Sequence, residues 1–136
     1  MPGDDAPAAR LLAAARALLP SAEARYSHFR VAAVIEDASG QTYPGVNVES
    51  VTYGLTLCAE RVALTGALAR GAKEFRRIAV VAERARPVLP CGACRQLLLE
   101  YAPDLTLILE GADGAPESVP LRTLLPRPFL DLGSPS

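Results

Sequence analysis

The order of helix-like and strand-like segments is the feature that most restricts how this 136-residue chain can fold. Hydrophobic periodicity and breaker residues predict, in chain order, helix, strand, strand, helix, strand, helix and strand at residues 8–19, 29–36, 41–48, 58–70, 75–82, 91–101 and 105–110. Pro20 and Pro103 end two of the helices, and Pro44 indicates that the second strand is an edge strand or carries a bulge. A hairpin followed by helix–strand–helix–strand favours helices packed on a mixed sheet.

The chain ends and the short connecting segments complete this outline. The length fits one domain, residues 1–136, and residues 1–7 and 132–136 are expected to be flexible because they are rich in Pro, Gly, Ser and Asp. Thr56 is a possible N-cap of the second helix, and residues 121–125 predict a short helical turn. Right-handed crossovers would bring the N-termini of the second and third helices close together.

Composition and charge argue against several classes of protein. The net charge is −1, half of the residues are hydrophobic and 21% are charged, which is typical of a soluble globular protein. Such a balance predicts no general attraction to nucleic acid or to an anionic membrane. The N-terminal residues, with Asp4 and Asp5, lack a signal-peptide pattern, and no apolar run is long enough to span a bilayer. A cytoplasmic location is therefore expected.

All three cysteines lie in two short motifs, Cys58-Ala59-Glu60 and Pro90-Cys91-Gly92-Ala93-Cys94. An odd number of cysteines in a reducing compartment argues against a disulfide framework. The spacing of Cys91 and Cys94 lets two sulfurs bind one ion from the first turn of a helix, where the helix dipole also favours thiolates. A redox pair or an inert buried pair is the alternative, but the combination of both motifs favours zinc.

Three thiolates leave one corner of a tetrahedral zinc site for water, as in catalytic zinc sites. Only His28 could supply a fourth protein ligand among histidines and cysteines, and its position before an apolar strand favours a surface or a strand end. Zinc would lower the pKa of the bound water, and Glu60 could carry its proton to a ring nitrogen and to a departing amine. Three thiolates with a non-ligand Glu form the known arrangement of zinc deaminases. Without this context Glu60 would be a helix-surface carboxylate.

The chain resembles the small, homotetrameric, zinc-dependent cytidine deaminases over roughly residues 8–129. The matching stretches are Tyr26-Ser27-His28-Phe29-Arg30-Val31, Gly45-Val46-Asn47-Val48-Glu49, Leu57-Cys58-Ala59-Glu60-Arg61, Pro90-Cys91-Gly92-Ala93-Cys94-Arg95-Gln96, and Leu124-Leu125-Pro126 with Phe129. The resemblance implies a three-layer α/β/α sandwich with a mixed five-stranded sheet, a homotetramer, and one zinc ion per chain held by Cys58, Cys91 and Cys94. It also implies hydrolytic deamination of cytidine and 2′-deoxycytidine to uridine and 2′-deoxyuridine with release of ammonia, in pyrimidine salvage.

The resemblance further implies which residues bind the substrate. Asn47 and Glu49 would hydrogen-bond the ribose 3′-hydroxyl, consistent with residues i and i+2 facing the same side of a strand. On spacing alone, a solvent-facing strand end is the simpler interpretation of this pair. Phe29 would pack beside the pyrimidine, with a core position as the alternative. The N–H of Ala59 and the carbonyl of Leu89 would hold the base edge and the amine.

Two further residues receive roles from the resemblance. Phe129 of a neighbouring subunit would cover the pyrimidine, although it could instead pack on its own subunit. Arg61 would donate to the zinc-bound thiolates and offset their negative charge. Arg95 ranks second for this role and could be a helix-surface charge.

The chain departs from the family pattern at three positions, and other functions stay open. Ala32 stands where Gly is common, Ser50 replaces an Asn and Leu89 replaces a Ser or Thr. Ser50 leaves the detail of sugar recognition open. The first alternative is a deaminase of a related small molecule such as blasticidin S. A polynucleotide deaminase would need a basic groove and aromatic platforms, and a non-enzymatic zinc module would need a fourth ligand.

Overall fold

The computed structural model describes residues 2–133, which form three α-helices and one five-stranded sheet. The helices are α1 Pro2–Leu18, α2 Ala59–Ala69 and α3 Gly92–Tyr101. The strands are β1 Val31–Asp37, β2 Thr42–Val46, β3 Phe75–Ala82, β4 Thr106–Glu110 and β5 Pro116–Pro120. None of the helices in this range is both long enough and apolar enough to cross a membrane.

The strands are ordered β2-β1-β3-β4-β5 in the sheet. Strand β1 runs antiparallel to β2 and to β3, and β5 runs antiparallel to β4. Strands β3 and β4 are parallel, and α3 makes the crossover that a parallel pair requires. The mixed five-stranded sheet is therefore confirmed, and Pro44 lies in the edge strand β2, where proline is tolerated.

Alternate side chains of the strands face opposite sides of the sheet and supply two cores. On one side, Ala32 and Val34 of β1 pack with Leu11 and other apolar residues of α1. On the other side, Ala33 and Ile35 belong to a larger cluster that includes α2 and α3. Helices thus cover both faces, which confirms the predicted three-layer α/β/α sandwich. It also puts both cysteine-bearing helices on the same face.

Two boundaries differ from the expectation. Helix α1 begins at Pro2 rather than at residue 8. Pro2 lies in the first turn, where its missing N–H would have no partner, and Pro7 lies inside the helix. Residues 2–7 are therefore helical, and residues 134–136 of the predicted flexible end lie outside the described residues. The prediction that Thr56 caps α2 is wrong, because Cys58 is the N-cap residue. The Thr56 hydroxyl instead accepts a hydrogen bond from the Ser50 N–H at 3.0 Å.

Strand β5 is the element that the sequence pattern does not predict. Its residues, Pro-Glu-Ser-Val-Pro, have low β-propensity apart from the valine. The segment nevertheless pairs with β4, from Glu110 opposite Pro116 to Thr106 opposite Pro120. Pairing with the edge of an existing sheet decides this conformation, and both prolines stand at the strand ends.

Candidate metal and catalytic site

Three sulfur atoms converge where α2 and α3 begin. The Sγ atoms of Cys58, Cys91 and Cys94 all lie within 4.8 Å of one another. Cys58 is the N-cap residue of α2, Cys91 is the N-cap residue of α3, and Cys94 lies in the first turn of α3. The Sγ atoms of Cys91 and Cys94 are 3.5 Å apart, and all three cysteines are free thiols.

This donor set fits a zinc ion. Zn–S bonds of about 2.3 Å put the sulfurs of a tetrahedral site about 3.8 Å apart, so the three thiols need only small adjustments. Among residues 6–133, whose side chains the structure describes, no carboxylate or imidazole joins the cluster of sulfurs. His28 is exposed and lines a surface pocket with Glu23, Arg30 and Glu83 instead. The cluster therefore offers three protein ligands and an open fourth corner.

The protonation of the thiols is mutually dependent. Burial raises the pKa of the Cys94 thiol, and the nearby Glu60 carboxylate adds to the rise. Partial burial acts in the same direction on Cys91, but hydrogen bonds from the N–H and thiol of Cys94 outweigh it, so the pKa of Cys91 is lowered. Three adjacent thiolates would repel one another, and a bound cation removes that cost.

Arg61 is the arginine that contacts these thiols. Its Nη2 lies 3.7 Å from Cys58 Sγ and 3.2 Å from the Thr56 carbonyl oxygen. The hydrogen bond to Cys58 raises the pKa of Arg61. Arg61 Nε is buried and has no hydrogen-bond partner within the described part of the chain. A partly buried guanidinium beside thiols is what a negatively charged thiolate cluster would require.

Arg95, the second candidate for that role, is directed elsewhere. Its Nε donates to the Pro90 carbonyl at 2.8 Å and its Nη1 donates to the Leu124 carbonyl at 3.1 Å. The alternative interpretation as a free helix-surface charge is also wrong, because the side chain is partly buried. Arg95 ties the start of α3 to the C-terminal segment.

A cavity of about 220 Å³ adjoins the cysteines. Its lining includes seven residues predicted for the site, Phe29, Asn47, Cys58, Ala59, Glu60, Leu89 and Cys91, together with Val31, Thr56, Leu57 and Val88. Glu60, in the first turn of α2, is only 5% exposed, and this burial raises the pKa of its carboxyl group. A carboxyl group with a raised pKa, in a partly apolar pocket beside the thiols, has the properties that a proton carrier requires.

Asn47 connects the walls of this cavity. Its Oδ1 accepts from the Val31 N–H at 3.0 Å, and its Nδ2 donates to the Phe29 carbonyl at 2.9 Å. One Nδ2 hydrogen and one Oδ1 lone pair are left for a ligand. Asn47 therefore positions the segment that carries Phe29, a contact that strand spacing alone does not reveal.

Glu49 lies in a neighbouring cavity that shares Thr56 with the first. Its Oε1 accepts from the N–H groups of Tyr26 and Ser27, both at 2.9 Å, and its Oε2 accepts from the Ser27 hydroxyl. The Ser27 hydroxyl is the main reason that the pKa of Glu49 is lowered. Asn47 and Glu49 therefore line different cavities. Both residues follow the end of β2, so the alternation of side chains along a strand does not place them on one face. Ser27 appears in the sequence only as part of a motif, and its contact with Glu49 depends on the fold.

Phe129 lies apart from the other predicted residues. Its side chain is 62% exposed and does not contribute to the cavity lining formed by the described residues. Its backbone is nevertheless fixed to α3, because its N–H donates to Gln96 Oε1 at 3.1 Å and Gln96 Nε2 donates to its carbonyl. The aromatic ring is therefore held at the surface.

Comparisons with known proteins agree with this geometry. A family model described as the cytidine and deoxycytidylate deaminase zinc-binding region matches residues 7–109. A cytidine deaminase from Halalkalibacterium halodurans is 43% identical over 105 residues, 76% of this chain and 80% of that protein. One from Sporosarcina psychrophila is 36% identical over 121 residues, 88% of this chain and 89% of that protein. The crystal structure of cytidine deaminase from Burkholderia pseudomallei has a TM-score of 0.83 and 42% identity, and the match covers 88% of this chain and 97% of that chain. The chain belongs to the zinc-binding cytidine and deoxycytidylate deaminase family.

Proposed function

We propose that this chain catalyses the hydrolytic deamination of cytidine and 2′-deoxycytidine to uridine and 2′-deoxyuridine, with release of ammonia. The observation that carries the proposal is the buried Glu60 in a cavity beside three converging thiols. One zinc ion per chain, held by Cys58, Cys91 and Cys94, would supply Lewis acidity that lowers the pKa of a water molecule.

The chain's own residues would orient the base and move the protons. Glu60 takes one proton from the attacking water and delivers it to the ring nitrogen. It then takes the second proton from the hydroxyl formed on the ring carbon and delivers it to the departing amine, which leaves as ammonia. The Ala59 N–H and the Leu89 carbonyl hold the base edge and the amino group, and Phe29 packs beside the ring. Arg61 offsets the negative charge of the thiolates.

The sugar would bind at the junction of the two cavities. Asn47 has an unused N–H in the first cavity. The Glu49 carboxylate accepts three hydrogen bonds, so roughly one of its four acceptor sites is left for the ribose 3′-hydroxyl. Thr56 lines both cavities, which supports a ligand that extends from one to the other.

We also propose a homotetramer in which Phe129 of a neighbouring subunit covers the base. The ring is exposed, and so are Val51, Tyr53 and Leu55 in the segment before α2, at 73%, 83% and 67%. A group of exposed apolar side chains is typical of a protein interface. Phe129→Ala should impair cytidine kinetics while zinc content and melting temperature are kept. A wild-type protein that sediments as a fully active monomer would contradict this assembly.

We assign the reaction to pyrimidine salvage in the cytoplasm. The three free thiols support this location, because a reducing compartment keeps them available for a metal.

One assay tests the substrate. The ultraviolet change is followed with cytidine, 2′-deoxycytidine, cytosine and blasticidin S on protein whose zinc content has been measured. The two nucleosides should be turned over and cytosine should react much more slowly, because it lacks the sugar. Preference for blasticidin S would favour the alternative substrate class, and no turnover by zinc-loaded protein would overturn the proposal.

A further inference from the structure

The connection between β3 and α3 forms one wall of the cavity without regular secondary structure. This wall segment, defined as residues 83–90, supplies Val88 and Leu89 to the cavity and leads directly into Cys91. Within residues 2–133, its backbone makes a single hydrogen bond to other backbone groups, from the Glu83 N–H to the Arg30 carbonyl at 3.0 Å. Side chains must therefore hold this wall in position.

Two arginines of the wall segment reach in different directions. Arg84 Nη2 donates to the His28 carbonyl at 2.6 Å, and the guanidinium carbon of Arg84 lies 5.9 Å from the centroid of the Phe29 ring. Arg86 Nε lies 3.0 Å from Glu110 Oε1. Arg84 thus connects the wall segment to Phe29, which also lines the cavity, and Arg86 connects it to the sheet.

Glu110 is a fixed anchor for Arg86. It is the last residue of β4, and its side chain is only 11% exposed. Its carboxylate also pairs with Arg16 of α1, whose Nε lies 3.1 Å from Glu110 Oε2. Two guanidinium groups therefore share one largely buried carboxylate, but only Arg86 belongs to the wall segment.

We propose that Arg84 and Arg86 are positioning residues that together set the separation between the Phe29 wall and the Leu89 wall. Arg84 holds the wall segment towards Phe29, and Arg86 holds it against the end of β4. Both act on the substrate through residues that line the cavity. The kinetic part of the test rests on the proposed deaminase function, whereas the proteolysis part does not.

The kinetic test compares four matched variants. Arg84→Met and Arg86→Met remove the two contacts while keeping side-chain length. Arg16→Met removes the other partner of Glu110, and Arg122→Met removes an exposed ion pair with Asp104 at 3.1 Å, outside the wall segment. The first two variants should raise the KM for cytidine by about two- to fivefold each, with a smaller change in kcat, as for exposed cation–π contacts and ion pairs. Both control variants should keep the wild-type KM. Arg84→Lys keeps a cation near Phe29, so its KM for cytidine should lie between those of the wild type and Arg84→Met.

The second test does not depend on activity. Native protein is treated with subtilisin, and cleavage within residues 83–90 is followed by mass spectrometry. Arg84→Met and Arg86→Met should be cut in this segment faster than the wild type and both controls. A wild-type protein without deaminase activity would count against the proposed function, and the cleavage rates would still test the positioning role. The proposal is overturned if cleavage is unchanged, if KM is unchanged in an active enzyme, or if Arg16→Met has the same effects as Arg86→Met.

Discussion

Gly45 of β2 is a point at which α2 lies unusually close to the sheet. A Cβ atom added there would lie 2.5 Å from Ala63 N and 2.9 Å from Ala63 Cβ, and closer still to the Ala59 carbonyl oxygen. Contacts of a real Cβ below 3.0 Å are essentially not observed. Gly45→Ala must therefore move Ala63 of α2 away from β2 by at least about 0.5 Å, the difference between the 3.0 Å limit and the 2.5 Å distance to Ala63 N.

The displacement should affect both stability and catalysis. Overpacking of this kind costs about 1–3 kcal/mol, which lowers the melting temperature of a chain of this size by roughly 4–12 °C. Cys58 and Glu60 stand at the end of α2 that contacts Gly45, so they move with the helix. A misplacement approaching 1 Å can cost about a hundredfold in rate, and we expect kcat/KM for cytidine to fall at least about tenfold.

Gly66 provides the matched control for this substitution. It lies within α2, is exposed, and has nothing within 4 Å of an added Cβ. Gly66→Ala should therefore stabilise the protein by about 1 kcal/mol through helix propensity and leave kcat/KM unchanged. Thermal unfolding, zinc analysis and steady-state kinetics are measured on both variants. A Gly45→Ala protein with the wild-type melting temperature and kcat/KM would refute the steric reasoning.

Three further substitutions test the site and the fold. Glu60→Ala should keep zinc and the fold but lose at least about a hundredfold in kcat, and retained turnover in zinc-loaded protein would mean that another group carries the proton. Asn47→Ala should mainly raise the KM for cytidine, because the variant loses both the proposed contact with the ribose hydroxyl and the hydrogen bond to the Phe29 carbonyl. An unchanged preference for cytidine over cytosine would contradict this. Hydrogen bonding, chiefly from the Ser39 hydroxyl, lowers the pKa of Asp37 from its ordinary value of 3.8. The stability advantage of the wild type over Asp37→Asn should be complete above that value and disappear as pH falls through the lower folded-state pKa, which urea unfolding at several pH values would measure. A difference that does not change with pH would count against this.

Local sequence signals predicted much of the fold. The strand at residues 75–82 has the predicted bounds, because a β-branched apolar run between polar segments strongly favours a strand over a helix. The sequence pattern predicted neither the start of α1 nor the existence of β5. A proline near a helix start is compatible with either a loop or a first turn, and β5 forms only because the edge of β4 is there to pair with.

By itself, the sequence determined which groups can do chemistry. The spacing of Cys91 and Cys94 on one helix turn and the proximity of Glu60 to Cys58 are local properties, since helix geometry relates residues only a few positions apart. The convergence of the three sulfurs was expected from the fold class, and the structure contains it.

The tertiary structure alone decided how these groups are supported and divided between cavities. It turned Arg61 towards the thiols and Arg95 towards Pro90 and Leu124, it separated Glu49 from Asn47, and it left the Phe129 ring exposed. The reason is physical. Spacing along one element specifies which side chains share a face, whereas contacts between distant segments depend on how closely helices and loops pack against the sheet.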